Sequence, residues 1–206
     1  MESNEKERKY YYEEESFDKL PEEFSHCLFK DNPSEHIVID RTTIQECRFE
    51  KIDFHNIELL DVDIYDTVFV GCDLSNVKFD KKMLARVSFI DCKLTGCSFI
   101  ESSLKKVSIS DCIVRYANIV NSKLENVLLK NSDFSESTFM DNEIKNLTLD
   151  NDIFIRTEFI HNPLKEVDFS SSDISQTLFD NYSLKGIIID SMQSPYLVGM
   201  LGVNIK

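Results

Sequence analysis

The chain has 206 residues, 42% of them apolar, 11% aromatic and 29% charged, with 37 acidic against 23 basic side chains and a net charge of −14. That length supports one domain with a sizeable core, and the charge argues against direct nucleic-acid binding and for a basic partner. Met1–Lys9 lacks the apolar segment of a signal peptide and no run approaches a membrane-spanning length, so a soluble cytoplasmic protein without membrane association is expected.

Residues 1–36 form an acidic lead-in. They hold 11 acidic and 5 basic side chains, a Tyr10-Tyr11-Tyr12 run and the turn-like Asp31-Asn32-Pro33. Phe24 and Phe29 fall on a five-residue register that Ser34 breaks and Ile39 resumes. A solvated tail whose later part covers the first coil is the expectation, because an open sheet end exposes strand edges and core.

Residues 37–191 are organised by one repeat. From Ile44 to Ile189 an apolar side chain returns every fifth residue, and all thirty of these positions are Phe, Leu, Ile or Val. At this apolar content the run has a chance probability on the order of 10⁻¹¹. Period five fits neither a helix at 3.6 nor a flat strand at 2. It fits a chain that turns a corner every five residues and returns above itself every twenty. Two residues before each centre, 21 of the 30 positions carry Ala, Cys, Ser, Thr or Val, so large and small side chains can fill a narrow core together. Lys82, Asn142, Asp152, Asn162 and Tyr182 fit this small column poorly and predict bulges or strained corners.

Units such as Cys92-Lys93-Leu94-Thr95-Gly96 and Ser132-Asp133-Phe134-Ser135-Glu136 resemble those of the pentapeptide-repeat family. The resemblance implies an all-β fold, a right-handed quadrilateral β-helix with one repeat per face and four per coil. Seven and a half coils would make a rod roughly 36–40 Å long.

Five cysteines (Cys47, Cys72, Cys92, Cys97, Cys112) occupy the small inward position, and Cys72, Cys92 and Cys112 stack at intervals of twenty. Reduced core fillers are the expectation; no metal is expected, since no His shares the column and the spacing matches no zinc motif. Sorted by face in chain order, the first, centred on Ile44, Ile64 and Leu84, carries an outward column of Lys105, Glu125, Lys145, Lys165 and Lys185, and the second and third follow with centres such as Phe49 and Phe54. The fourth face, centred on Leu59, Phe79, Phe99, Ile119, Phe139, Phe159 and Phe179, is the most acidic. It holds Glu58, Asp61, Asp80, Glu101, Asp141, Glu158 and Asp180 against Lys78 and Lys81. Its outward column also runs Ile100, Val120, Met140, Ile160, an apolar strip flanked by acids and a candidate partner surface.

Residues 192–206 leave the repeat. Ser194 and Pro195 can open a short helix, Gly202 can end it, and Val203–Ile205 can add a last strand. Tyr196, Leu197, Met200 and Leu201 give the segment an apolar face that covers the final coil or joins two rods. With Asp190, Gln193, Leu197, Leu201, Gly202, Val203 and Ile205, this ending resembles that of the chromosomal, loopless Gram-positive Qnr-type proteins. Proteins of that type protect DNA gyrase and topoisomerase IV from fluoroquinolones. The resemblance implies a homodimer joined through Tyr196, Leu197, Met200, Leu201, Val203 and Ile205, forming an acidic rod that imitates duplex DNA. Catalysis is not expected, and neither is a cofactor. His26, His36, His55 and His161 share no site with a nucleophile or a paired carboxylate. A non-catalytic scaffold for an unrelated partner is the alternative.

Overall fold

The computed structural model describes residues 12–200 and Gly202. The chain winds as a parallel β-solenoid, and the twenty-residue return is visible in its backbone pairing. Phe24 lies beside Ile44, Ile44 beside Ile64, Leu104 beside Leu124 and Leu124 beside Ile144. The spacing persists to the bridge between Asp168 and Ile188, giving about eight coils. Two adjoining faces, joined through the corner in strands such as Lys123–Lys130, make up most of a 13-stranded sheet, which Ile37–Gln45 and Ile57–Tyr65 extend onto the first coils of the fourth face. From Ser98–Ile100 to Leu178–Phe179 the fourth face is a separate five-stranded sheet. The third face is held by single bridges, Asp53–Asp73 through Ile153–Asp173.

Corners make this winding possible. The residue two places after nearly every inward centre has positive φ, from Arg41 (47°) and Asp61 (45°) through Tyr116 (59°) to Glu166 (67°). This left-handed region is costly for most side chains and cheapest for Gly and Asn. Gly71, Gly96, Asn76, Asn121, Asn126, Asn131, Asn146 and Asn151 suit it, whereas Lys51, Lys106, Tyr116 and Arg156 occupy it at a cost.

The thirty centres fill the interior, all buried except Ile144, Leu184 and Ile189, which are partly so. Phenylalanines twenty apart stack through the coils: Phe29, Phe49, Phe69 and Phe89 have ring centroids 5.1, 4.9 and 5.1 Å apart. Phe17 lies on Phe29 at 4.4 Å and closes the N-terminal end of this stack. Such offset contacts add to the burial of large apolar surface.

The small column proves to be a hydrogen-bonding column. Ser102, Ser122, Ser137, Thr157 and Thr177 each donate a hydroxyl to the carbonyl oxygen 23 residues earlier, at 2.6–2.8 Å. Cys72, Cys92 and Cys112 aim their thiols at the corresponding oxygens at 3.4–3.5 Å. The asparagines do the same, which corrects the expectation of bulges. Asn142 Nδ2 donates to Ile119 O at 2.8 Å and Asn162 Nδ2 to Phe139 O at 2.7 Å. Backbone pairing stays at twenty beside Lys82, Asn142 and Asp152. Of the five poorly fitting positions, Tyr182 is where the chain slips. Tyr182 is extruded, Ser183 is buried in its place, and the amide of Asn162 reaches Ser183 Oγ 21 residues on rather than twenty.

The C-terminus also departs from expectation at its cap. Asp190, not Ser194, caps a 3-10 turn (Ser191–Gln193) that runs into the helix Ser194–Met200. Asp190 accepts from Met192 N, and Gln193 Oε1 accepts from Asp190 N, a reciprocal capping box. Gln193 Nε2 donates to Phe169 O and Ser172 O, tying the cap to the last coils. Gly202 has φ 75° and donates its amide to Gly199 O, ending the helix as expected. The strand expected at Val203–Ile205 lies outside the described residues.

Lys106→Asn would relieve a left-handed lysine and extend the amide ladder in which Asn146 Nδ2 donates to Asn126 Oδ1. A gain of about 0.5–1 kcal/mol is expected, read as a rise of about 1–4 °C in melting temperature. Asn162→Leu would remove buried donors and acceptors together and should cost about 2–4 kcal/mol in denaturant unfolding.

Candidate partner-binding face

The fourth face presents two outward columns, one on each side of its buried centres. One carries Ser98, Asn118, Thr138, Glu158 and Leu178; the other carries Ile100, Val120, Met140 and Ile160. Parallel pairing sets Ile100 beside Val120, Val120 beside Met140 and Met140 beside Ile160, so the four form a continuous ladder. Each is half-buried within the strip. Sequence spacing located this strip, and the structure makes it contiguous.

The seven acids of this face occupy three different settings. Asp61, Glu101 and Asp141 sit at left-handed corners. Glu58 and Glu158 lie within strands, Glu58 3.9 Å from His36 Nε2. Asp80 and Asp180 stand at the two ends of the apolar ladder. Asp80 Oδ1 accepts from the Ile100 amide at 3.0 Å, and Asp180 Oδ1 accepts from Ser183 N at 2.8 Å. Burial opposes the charge on Asp180, but hydrogen bonds from Ser183 and the nearness of His161 hold its carboxyl below the usual range.

Several of these acids meet basic groups one coil away, a pairing that linear reading missed. Glu101 Oε2 lies 3.8 Å from Lys81 Nζ, and His161 stands between Asp141 at 3.2 Å and Asp180 at 3.6 Å. The signal was present in the sequence as opposite charges twenty residues apart. The first face shows the same device, with Glu125 between Lys105 at 3.4 Å and Lys145 at 3.9 Å. At a corner, Arg86 clasps Asp66 through two bonds of 2.6 Å.

A groove of about 570 Å³ on the third face was not anticipated. Asp111, Asn131, Asn151 and Ser171 form its corner wall, joined by side-chain hydrogen bonds, and Cys112, Asp152 and Ser172 lie beneath. Asp152 is 1% exposed, and burial pushes its carboxyl up to about 7. Its oxygens accept from the amides of Ser132 and Asp150, which favour the charged form but do not outweigh burial.

All six cysteines are free and buried. Burial pushes the Cys47 thiol up to about 12, so it is an inert filler and a weak donor rather than a nucleophile. Among the described residues no group of three or more His, Cys, Asp or Glu is arranged to hold a metal ion. In those residues no helix is long and apolar enough to cross a membrane.

At the C-terminus, Tyr196, Leu197 and Met200 turn toward the chain's own last coils. Leu197 is buried, Tyr196 Oη donates to Thr177 O at 3.0 Å, and Met200 packs on the core. Leu201, Val203 and Ile205 lie outside the described residues.

A four-faced parallel solenoid with a five-residue inward repeat defines a class of protein, the β-helical repeat scaffolds. Within that class, residues 62–139 match the family model described as a pentapeptide repeat region. No curated protein matches the sequence. Among solved structures it is similar to a trypsin-treated variant of QnrB1, a plasmid-mediated fluoroquinolone resistance protein. The identity is 18%, the match covers 88% of this chain and 89% of that one, and the TM-score is 0.60. A second trypsin-treated QnrB1 variant matches at 17% identity over 90% of each chain, also with a TM-score of 0.60. HetL from the cyanobacterium Nostoc, a pentapeptide-repeat protein involved in heterocyst differentiation regulation, matches at 14% identity over 82% of this chain and 90% of that one, with a TM-score of 0.44.

The buried Asp152 generates a pH-dependent stability. Its folded pKa, about 7, stands above the ordinary 3.8, so between these values the folded chain holds a proton the unfolded chain has released. Stability therefore falls as pH rises through that window, by an amount on the order of 4 kcal/mol if Asp152 acts alone. Asp152→Asn should raise the melting temperature at pH 8 and do so much less at pH 5. An equal change at both pH values would refute the assignment.

Proposed function

We propose that the protein is a non-catalytic binding protein that imitates duplex DNA, occupying the DNA-binding surface of a type II topoisomerase, DNA gyrase or topoisomerase IV. By doing so it protects the enzyme from fluoroquinolones or related poisons. The observation that carries this reading is a β-solenoid, in a chain of net charge −14, whose fold is similar over 88% of the chain to a trypsin-treated variant of QnrB1, a fluoroquinolone resistance protein. Phosphate charge supplies much of protein–DNA affinity, so a rod that presents carboxylates to the same basic saddle competes for it. Fast, salt-sensitive association follows.

The acidic side of the fourth face, Glu58, Asp61, Asp80, Glu101, Asp141, Glu158 and Asp180, is the surface proposed to meet the enzyme. Glu101 and Asp141 lie within 4 Å of Lys81 and His161 on the neighbouring coils, so part of this acidity is already balanced within the rod. A homodimer joined through the C-terminal segment would double the length of this surface. Tyr196, Leu197 and Met200 would act there by shaping the last coil, with Leu201, Val203 and Ile205 as further contacts.

A second reading, a scaffold for an unrelated protein, is favoured by the apolar ladder Ile100–Val120–Met140–Ile160, which DNA mimicry alone does not require. The two readings differ in salt dependence. Mimicry predicts binding that weakens steeply with salt, and a purely apolar contact predicts little change.

A supercoiling assay with gyrase and with topoisomerase IV, titrating the protein with and without ciprofloxacin, tests the proposal. Restored activity in the presence of drug is the expected result. The triple variant Asp80→Asn, Glu101→Gln, Asp141→Asn should need about tenfold more protein at low salt. No effect of the parent protein on either enzyme at micromolar concentration would favour the scaffold reading.

A further inference from the structure

We propose that the apolar ladder of the fourth face is the docking site for an amphipathic α-helix of a protein partner, with basic residues flanking its apolar ridge. The inference rests on the reading of this face as the partner-binding surface and specifies what that surface takes. Four outward apolar side chains, Ile100, Val120, Met140 and Ile160, are stacked in backbone register. In the same column Asp80 and Asp180 stand twenty residues before and after the ladder, and Leu60 and Asp40 continue it beyond Asp80. The adjoining column is short and polar beside most of the ladder, with Ser98, Asn118 and Thr138. The apolar row therefore borders a low shoulder rather than a wall.

Spacing selects the occupant. Successive coils lie about 4.8 Å apart, so the ladder spans about 14 Å from Ile100 to Ile160. Helix positions i, i+3, i+7 and i+10 rise about 15 Å, and one such ridge meets all four rungs. An extended strand laid along the same axis repeats on one side every 6–7 Å or so and falls out of step after one rung. Asp80 and Asp180 stand five coils apart, about 24 Å, which a helix of about 16 residues covers. Lys or Arg near both ends of that helix would meet them.

Charge excludes the nearest competitor. Glu101 and Asp141 line one side of the ladder, alongside Lys81 and His161 with which they pair, and Glu158 stands on the other side. A second copy of this face packed against the first would set a surface that holds seven acids against two lysines, Lys78 and Lys81, on another of the same excess, a net like-charge arrangement that opposes association. A basic helix meets the same surface with complementary charge and buries the apolar rungs, which supply the affinity that charge in solvent does not.

The test uses the full chain and a fluorescein-labelled synthetic helix of about 16 residues, with Leu at i, i+3, i+7 and i+10 and Lys or Arg flanks. Fluorescence anisotropy should show saturable binding, and Met140→Asp should weaken it about tenfold or more. Asp80→Asn with Asp180→Asn keeps a side-chain oxygen to accept from the Ile100 and Ser183 amides and should weaken binding about threefold at 50 mM salt, with the difference shrinking at 300 mM. Val120→Ser serves as a milder variant, and circular dichroism and melting temperature confirm that each variant is folded. Equal binding by Met140→Asp and the parent would overturn the proposal, as would equal binding of a peptide carrying Glu at its flanks. Sedimentation showing self-association that Met140→Asp abolishes would also overturn it, by assigning the ladder to a second copy.

The peptide titration and the topoisomerase assay fail separately. Helix binding without any effect on gyrase or topoisomerase IV keeps the docking site and removes the enzyme as its partner. Full protection by Met140→Asp removes the ladder and keeps the acidic surface.

Discussion

Every feature of this molecule depends on a corner taken at left-handed φ once every five residues. That conformation costs a non-glycine residue about 1–2 kcal/mol, and the chain adopts it at 25 non-glycine positions among the described residues. The cost is tolerated because each corner sends the next inward pair onto a core already built by the coil below. Parallel backbone bonds twenty residues apart, buried centres and stacked phenylalanines then stabilise the turn together. Asn and Asp at many corners ease the strain, and side chains such as Asn126 and Asn146 tie successive corners along the rod.

The narrow interior also governs what polar chemistry it admits. A hydroxyl, thiol or carboxamide two residues before a centre can reach the carbonyl of the coil below, so Ser, Thr, Cys and Asn serve one purpose there. Asp152 has the same shape but brings a charge, and burial answers by favouring its protonated form. Val87, Val107 and Val127 show that the column accepts apolar residues where a face is built that way.

On the outside, the same twenty-residue return makes neighbours of residues far apart in sequence. Charges alternate between coils, so much of the acidity is already engaged within the rod: Asp66 with Arg86, Asp133 with Arg115, Asp150 with Lys130. Such pairs contribute little stability singly, but they set opposite charges beside one another on successive coils. A partner would meet a fixed pattern of charge bordering an apolar row, rather than a diffuse negative cloud.

Periodicity in the sequence determined the architecture, because period five with a large and a small inward residue has one economical solution. It also located the apolar ladder and the acidic face, since stacking follows from counting by twenty. The chemistry of the small column was not legible. Asn142, Asn162 and Asp152 look like misfits in a list of side-chain sizes, and only the coil below shows the carbonyls and amides they satisfy. Nor did the sequence show that Ser183 replaces Tyr182, because a one-residue slip leaves the surrounding repeat intact. The Asp190–Gln193 motif was recognisable, but its role as a plug on Phe169 O and Ser172 O required the last coil in place. Local pattern fixes which residues point inward. Which buried polar groups find partners, and which surface charges are already paired, depends on contacts between coils, and those exist only once the chain has wound.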